Sequence, residues 1–117
     1  MRDFKTLKVW QLSHKLTLDI YQITANYPKY ELFALVSQMR RSSSSIPTNI
    51  AEGCGRRTDD DFAHFLQMAF GSANEIEYQI LLSADLNYIR REKEMELNRQ
   101  IEEIKRMLSA LITKVRG

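Results

Sequence analysis

The spacing of apolar residues near the end of the chain is the feature that most restricts its fold. Six of them recur at intervals of four, three, four, three and four residues: Leu97, Ile101, Ile104, Leu108, Leu111 and Val115. This heptad pattern puts one apolar stripe along a helix, while charged residues occupy its other faces. Because most helical stability comes from covering such a stripe, the pattern predicts a helix from about Arg91 to Val115 that packs against others.

A similar spacing predicts a first helix from about Leu7 to Asn26. Its apolar positions are Val9, Leu12, Leu16, Ile20, Ile23 and Tyr27. Thr6 is a possible N-cap. The helix should end at Tyr27, because a residue that precedes proline is disfavoured in the α region.

A second helix is predicted from about Tyr30 to Gly53, again from helical spacing that includes Leu32 and Leu35. Serines 42–45 are small enough to let another helix approach closely. Pro47 follows them, and it predicts either a kink or a restart of the helix with Pro47 in its first turn. Gly53 and Gly55 should end the helix.

The third helix is predicted to begin after Thr58, which can cap it, with the acidic residues 59–61 in its first turn. The small residues 71–73, which begin with Gly71, predict a close contact with another helix. Asn87 is the expected stop, since asparagine tolerates the left-handed conformation that often ends a helix.

Four amphipathic helices with short connections predict an all-α protein, an antiparallel up-down-up-down four-helix bundle whose second helix is kinked near Pro47. The 117 residues should form a single domain, 1–117, and the 44% of hydrophobic residues are enough for its core. A single cysteine excludes an internal disulfide. The sequence has no signal-peptide pattern and no apolar run near 18 residues, so we expect a soluble cytoplasmic protein without a membrane segment.

No enzymatic or metal-binding pattern stands out. A di-iron bundle needs paired Glu-x-x-His motifs, whereas this chain has only His14 and His64, and neither completes one. Cys54 lies beside two arginines, yet no histidine is adjacent in sequence to act as its base. We therefore expect no catalytic residue, no metal and no cofactor, and a small enzyme is the third-ranked interpretation.

Four arginines are the candidate binding residues: Arg40, Arg41, Arg56 and Arg57. They can form a basic patch that contacts the phosphates of RNA or DNA. Alternatively, Arg40 or Arg41 pairs with Glu52 or Glu75, within the chain or between subunits, because a carboxylate near a packed face usually needs a partner. The first arrangement favours nucleic-acid binding, and the second favours a purely structural or protein-binding oligomer.

Self-association is expected from two further features. Trp10, Leu18 and Tyr21 exceed what one helix needs to bury in a monomeric bundle, so we expect part of this surface to meet a neighbouring subunit. Residues 1–58 hold nine Lys or Arg and four Asp or Glu, a balance of +5, whereas residues 59–117 hold eight and eleven, a balance of −3. Such halves can orient a second copy of the chain.

Several motifs of this sequence resemble those of one family. The central run from Arg40 to Gly53 reads RRSSSSIPTNIAEG and includes Asn49 and Glu52. The others are Val9-Trp10-Gln11, Tyr21, Phe65-Leu66, Gly71-Ser72 and Glu75. Together they resemble the 23S ribosomal RNA intervening-sequence proteins, also called S23-type proteins, over nearly the whole chain.

The resemblance implies a bacterial four-helix bundle that is not an enzyme, encoded within insertions of 23S rRNA genes or elsewhere. This family in turn is similar to the accessory protein of diversity-generating retroelements, a basic helical pentamer that binds nucleic acid and a reverse transcriptase. We therefore expect a homopentamer that acts as an RNA-associated adaptor. The implied structural or interface residues are Trp10, Tyr21, Asn49, Glu52, Gly71 and Glu75.

Overall fold

Four long helices make up most of the computed structural model, which describes residues 2–117. They are α1 (Lys8–Thr24), α2 (Ser37–Cys54), α3 (Asp59–Asp85) and α4 (Arg91–Arg116), and the described residues contain no strand. Contacts join α1 to α2, α2 to α3, α3 to α4 and α4 to α1. The short links 55–58 and 86–90 make α2, α3 and α4 successively antiparallel. α1 is antiparallel to α2, since Thr24 bonds Arg40 and the earlier Thr17 bonds the later Ser43. The predicted all-α four-helix bundle is confirmed, and it measures 43 × 24 × 20 Å.

The apolar stripes meet along the centre of the bundle. Four residues of the α4 heptad pattern are fully buried, whereas Leu111 and Val115 are only partly covered. The other helices contribute further fully buried side chains: Leu16, Ile20, Met39, Ile46, Ile50, Phe62, Leu66, Ile76 and Ile80. None of the helices in residues 2–117 combines the length and the apolar character needed to cross a membrane.

Local hydrogen bonds fix both ends of α3 where the sequence predicts them. The Thr58 hydroxyl accepts a hydrogen bond from the Asp61 amide at 3.1 Å, which is the predicted N-cap. At the other end Asn87 has a φ of 64°, in the left-handed region. The Tyr88 amide donates to the Ser83 carbonyl at 2.9 Å and the Asn87 amide donates to the Ala84 carbonyl at 3.0 Å, which is a Schellman motif.

The start of α1 differs from the prediction. Thr6 is not its N-cap: its hydroxyl donates to the Asp3 carbonyl at 2.7 Å. A single 3₁₀ turn, Phe4–Thr6, precedes the helix, and the Asp3 carboxylate caps that turn by accepting from the Lys5 amide at 3.1 Å. Leu7 then stands at the N-cap of α1 without a side-chain hydrogen bond.

The segment that leads into α2 is also irregular. A 3₁₀ turn, Lys29–Glu31, is followed by a π-helical turn, Leu32–Val36, before the α-helix begins at Ser37. The helix continues through Pro47, so the expected alternative of a restart there is wrong. Gly53 does not end α2 but lies inside it, and only Gly55 stands at its end, where the Gly55 amide donates to the Glu52 carbonyl at 3.1 Å.

Candidate functional site

Arg40 binds the end of α1 instead of an acidic residue. Its Nε donates to the Thr24 hydroxyl at 3.0 Å, and its Nη2 donates to the Tyr21 carbonyl at 3.2 Å. The guanidinium carbon lies 4.7 Å from the centre of the Tyr21 ring, a cation–π contact. A cation at a helix C-terminus satisfies carbonyls that have no partner within the helix. The predicted pairing of Arg40 with Glu52 or Glu75 within the chain is therefore wrong.

Arg41 follows on α2 and is exposed. Within residues 2–117 it forms no ion pair, so its expected pairing with Glu52 or Glu75 inside the chain is also wrong. A surface cavity of about 430 Å³ lies beside it, lined in part by Tyr21, Leu32 and Phe33. Phe33 is 93% exposed, although its side chain is a large apolar ring. We call Tyr21, Leu32, Phe33, Arg40 and Arg41 the basic-aromatic surface.

The π-helical turn explains why Phe33 is exposed. Such a turn contains more residues than an α turn, so the residues that follow it are rotated relative to an uninterrupted helix. Leu35 and Val36 face the core, whereas Leu32 and Phe33 face solvent. The Glu31 carboxylate anchors the turn, since it accepts from the Leu35 amide at 3.4 Å and from the Tyr88 hydroxyl at 2.8 Å. The hydrogen bond with Tyr30, and to a smaller extent the one with Glu31, raises the pKa of Tyr88.

Arg56 and Arg57 lie at the other end of α2, and the rise of an α-helix puts about 20 Å between Arg41 and Cys54 along its axis. The Arg56 guanidinium lies 4.6 Å from the centre of the Phe65 ring and 3.9 Å from the Glu52 carboxylate. Arg57 is exposed and forms no ion pair in the described residues. The four predicted arginines therefore form two separate sites in one chain.

The arrangement of these helices is shared with known proteins. A family model described as "23S rRNA-intervening sequence protein" matches residues 5–110. The chain belongs to this family. Its fold is similar to the crystal structure of a protein of unknown function from the S23 ribosomal protein family of Bacteroides thetaiotaomicron, with 31% sequence identity and a TM-score of 0.80. That similarity covers 89% of this chain and 97% of the other, while no curated protein matches.

The family motifs place the remaining predicted residues in different environments. Trp10 is half-buried: its ring stacks on His14 with centroids 5.1 Å apart and meets Phe4 edge to face at 4.9 Å. Asn49 is half-buried too, and its side-chain amide donates to the Ser45 carbonyl at 2.8 Å. Both residues therefore make contacts within their own chain.

Gly71, from the same family motifs, does not make the predicted close contact. It is exposed, and a Cβ added there would have no atom of residues 2–117 within 4 Å outside its own stretch of helix, whereas Ala73, two residues later, is fully buried. The close approach occurs at Gly53, where an added Cβ would lie 2.9 Å from the Cβ of Phe65. Glu75 is exposed on α3, as Gly71 is.

Phe33 is a candidate functional residue that the sequence motifs did not indicate. The signal was present in the uninterrupted apolar run of residues 32–36, since a one-sided helix cannot bury five consecutive positions. Cys54 is buried, and that burial raises the pKa of its thiol more than the nearby Arg2 lowers it, which disfavours a reactive thiolate. No group of three or more His, Cys, Asp or Glu side chains in residues 2–117 is arranged to hold a metal ion.

Proposed function

We propose that this chain is a non-catalytic subunit of a homo-oligomer that binds RNA and serves as an adaptor there. The observation that carries self-association is the basic-aromatic surface, in which Phe33 is 93% exposed. Contiguous exposed apolar surface of this kind marks interaction sites in folded proteins. The exposed Leu18, one turn before Tyr21 on α1, extends the apolar area. The proposed assembly is a ring of five, which the resemblance implies.

The proposed RNA contact is made by the loop that carries Arg56 and Arg57. One copy has a net charge of only +2, so a single loop would hold RNA weakly. An oligomer repeats the loop once per subunit, and several weak contacts to one RNA raise the overall affinity without any new contact. The family's description, which refers to 23S rRNA, supports RNA as the nucleic acid.

The mass of the purified protein tests self-association. Light scattering at micromolar concentration should give several times 13.7 kDa, and five times that mass for the proposed ring. A protein that stays at 13.7 kDa over this concentration range would contradict the proposed function as a whole.

RNA binding is tested with paired variants. Arg56→Gln with Arg57→Gln should weaken binding to a structured RNA and flatten its salt dependence. With fewer phosphate contacts, fewer counterions are released from the RNA on binding. The control is Arg99→Gln with Arg106→Gln, which removes the same charge from two exposed residues of α4. Equal losses in both variants would contradict a specific role of the loop, and a wild-type protein that binds no RNA at about 50 mM salt would exclude the RNA role.

A second candidate function is a structural or protein-binding oligomer without RNA. It is favoured by the three aspartates, residues 59–61, that follow Arg57 closely and repel phosphate. An oligomer that forms normally and shows no salt-dependent RNA binding would select this candidate.

A further inference from the structure

The outer face of α3 has an interaction stripe of its own. Residues on this face recur at intervals of four, three, four and three, and all are exposed: His64, Met68, Gly71, Glu75 and Tyr78. This is the spacing of a helix–helix seam, yet it lies opposite the stripe that fills the core. Met68 is 44% exposed and Tyr78 is 60% exposed. We call these five residues the α3 outer stripe.

Gly71, at the centre of the stripe, is not explained by packing within residues 2–117. Glycine in the middle of a helix is less stable than alanine by about 1 kcal/mol. A close contact often explains such a glycine, but outside its own stretch of helix no atom of residues 2–117 lies within 4 Å of the position of its Cβ. The glycine instead leaves a flat area on the helix, with Met68 on one side and Tyr78 on the other.

The charges of α3 complement those of the basic-aromatic surface. Residues 59–89 contain six Asp or Glu and no Lys or Arg, and three of the six carboxylates pair with cations from other parts of the chain. Glu75 forms no ion pair in residues 2–117, and neither does Arg41. One surface therefore has an unpaired cation beside a projecting phenyl ring, and the other has an unpaired carboxylate beside a flat area between apolar side chains.

We infer that the α3 outer stripe of one copy docks on the basic-aromatic surface of a second copy, with Arg41 paired to Glu75 across the interface. Phe33 packs against the flat area at Gly71. This inference rests on the self-association proposed above and names the two surfaces that carry it. Because the surfaces differ, the contact is head-to-tail, and each added copy presents both surfaces again until a ring closes.

A charge exchange tests the ion pair. Arg41→Glu alone or Glu75→Arg alone should place like charges together and lower the association constant by about tenfold or more. The double variant Arg41→Glu with Glu75→Arg should restore most of the wild-type association. The control is Arg99→Glu with Glu103→Arg and each of its single changes, on the exposed face of α4, which should leave the mass unchanged. Single variants that keep the wild-type mass, or a double variant that restores nothing, would overturn the inference.

A second variant tests the contact at Gly71, because it should stabilise the separate chain and weaken the association of the oligomer. Gly71→Leu should raise the helical stability of the separate chain, because leucine favours a helix and the space around Gly71 is open. It should nevertheless dissociate the oligomer by filling the flat area, whereas Ala110→Leu on exposed α4 should not. An oligomeric wild type with an equally oligomeric Gly71→Leu would overturn this interface while leaving self-association intact.

If Arg41→Glu lowered RNA affinity without changing the mass, RNA would be the occupant of the basic-aromatic surface and the inference would fail.

Discussion

Gly53 and Gly55 lie two residues apart and have different roles. Gly53 is buried where α2 meets α3, so its missing side chain sets how closely the two helices approach. Gly55 stands at the helix end with a φ of −86°, a conformation that any residue adopts. From the sequence alone both residues predict a helix end, because glycine is common there. The sequence does not show that another helix packs against one of them.

The different roles predict different effects of alanine. Gly53→Ala would place a Cβ 2.9 Å from the Phe65 Cβ and 3.0 Å from the Phe62 ring. This overpacking should lower the free energy of unfolding by about 1–3 kcal/mol. Gly55→Ala, whose Cβ would lie 3.5 Å from the nearest atom, should be neutral or stabilising by up to about 1 kcal/mol. Urea denaturation measures both, and a Gly53→Ala variant as stable as Gly55→Ala would contradict the close approach.

Tyr27 provides a prediction that depends on pH. Within residues 2–117 its buried hydroxyl has no partner at hydrogen-bonding geometry. Burial raises the pKa of Tyr27, and the nearby Ser83 side chain lowers it by a smaller amount. Tyr27→Phe should therefore increase the free energy of unfolding at pH 7 by about 1 kcal/mol, since it removes an unpaired polar group.

The alkaline behaviour of Tyr27→Phe follows from the same pKa. Above about pH 10 the unfolded chain loses the phenol proton while the folded chain keeps it, so wild-type stability falls as the pH rises. Below that pH the ionisation of Tyr27 has no effect, because both states are protonated. The variant should lose less stability than the wild type between pH 9 and about pH 11. Urea denaturation at several pH values measures this, and parallel curves for the two proteins would contradict the assignment.

At the scale of helices, the carbonyl that Pro47 leaves free in α2 accepts a hydrogen bond from α1. Proline has no amide hydrogen, so Pro47 leaves the carbonyl of Ser43, four residues earlier, without its helical partner. The Thr17 hydroxyl of α1 lies 3.0 Å from this carbonyl and 2.9 Å from the Ser13 carbonyl of its own helix. Thr17 is buried with Ser43, so the bond joins the two helices where their side chains are small.

A double-mutant cycle tests this bond. Thr17→Val preserves the shape of the side chain but leaves the buried Ser43 carbonyl unpaired, which should lower the free energy of unfolding by about 1–3 kcal/mol. In a Pro47→Ala background the new amide can bond Ser43 within α2, so the same threonine change should be milder by about 1 kcal/mol. Additive effects in urea denaturation would show that the threonine hydroxyl does not act on that carbonyl.

Regular elements could be predicted from the sequence because their causes are local. The heptad spacing of α4, the Thr58 cap and the Asn87 stop each depend on residues within one or two turns. The π-helical turn could not be predicted in this way, since the inward spacing of Leu32 and Leu35 is equally consistent with an ordinary helix. Its anchor is the hydrogen bond from Tyr88 to Glu31, which joins residues far apart in the sequence. Leu32 is consequently 47% exposed and not part of the core.

At the scale of the whole molecule, residue chemistry could be predicted but residue proximity could not. The sequence identifies Arg40, Arg41, Arg56 and Arg57 as the candidate cations. The structure shows that they lie in two sites at opposite ends of α2. It also shows that Arg40 forms hydrogen bonds with α1. The exposure of Phe33, which makes Arg41 part of a docking surface, likewise depends on the π-helical turn.

This separation predicts that assembly and RNA binding are coupled in one direction only. Glu75→Arg should dissociate the oligomer and lower RNA affinity, although it adds a positive charge and leaves Arg56 and Arg57 intact, because a separate chain loses the multiplied contacts. Arg56→Gln with Arg57→Gln should lower RNA affinity and leave the mass unchanged, since neither residue belongs to the α3 outer stripe or to the basic-aromatic surface. Combining Arg41→Glu with Glu75→Arg should restore mass and RNA affinity together. Light scattering and salt-dependent RNA binding on the same samples measure both effects. If the dissociated Glu75→Arg protein bound RNA as tightly as the wild type, the RNA contact would belong to the single bundle and the repeated loop would have no part in it.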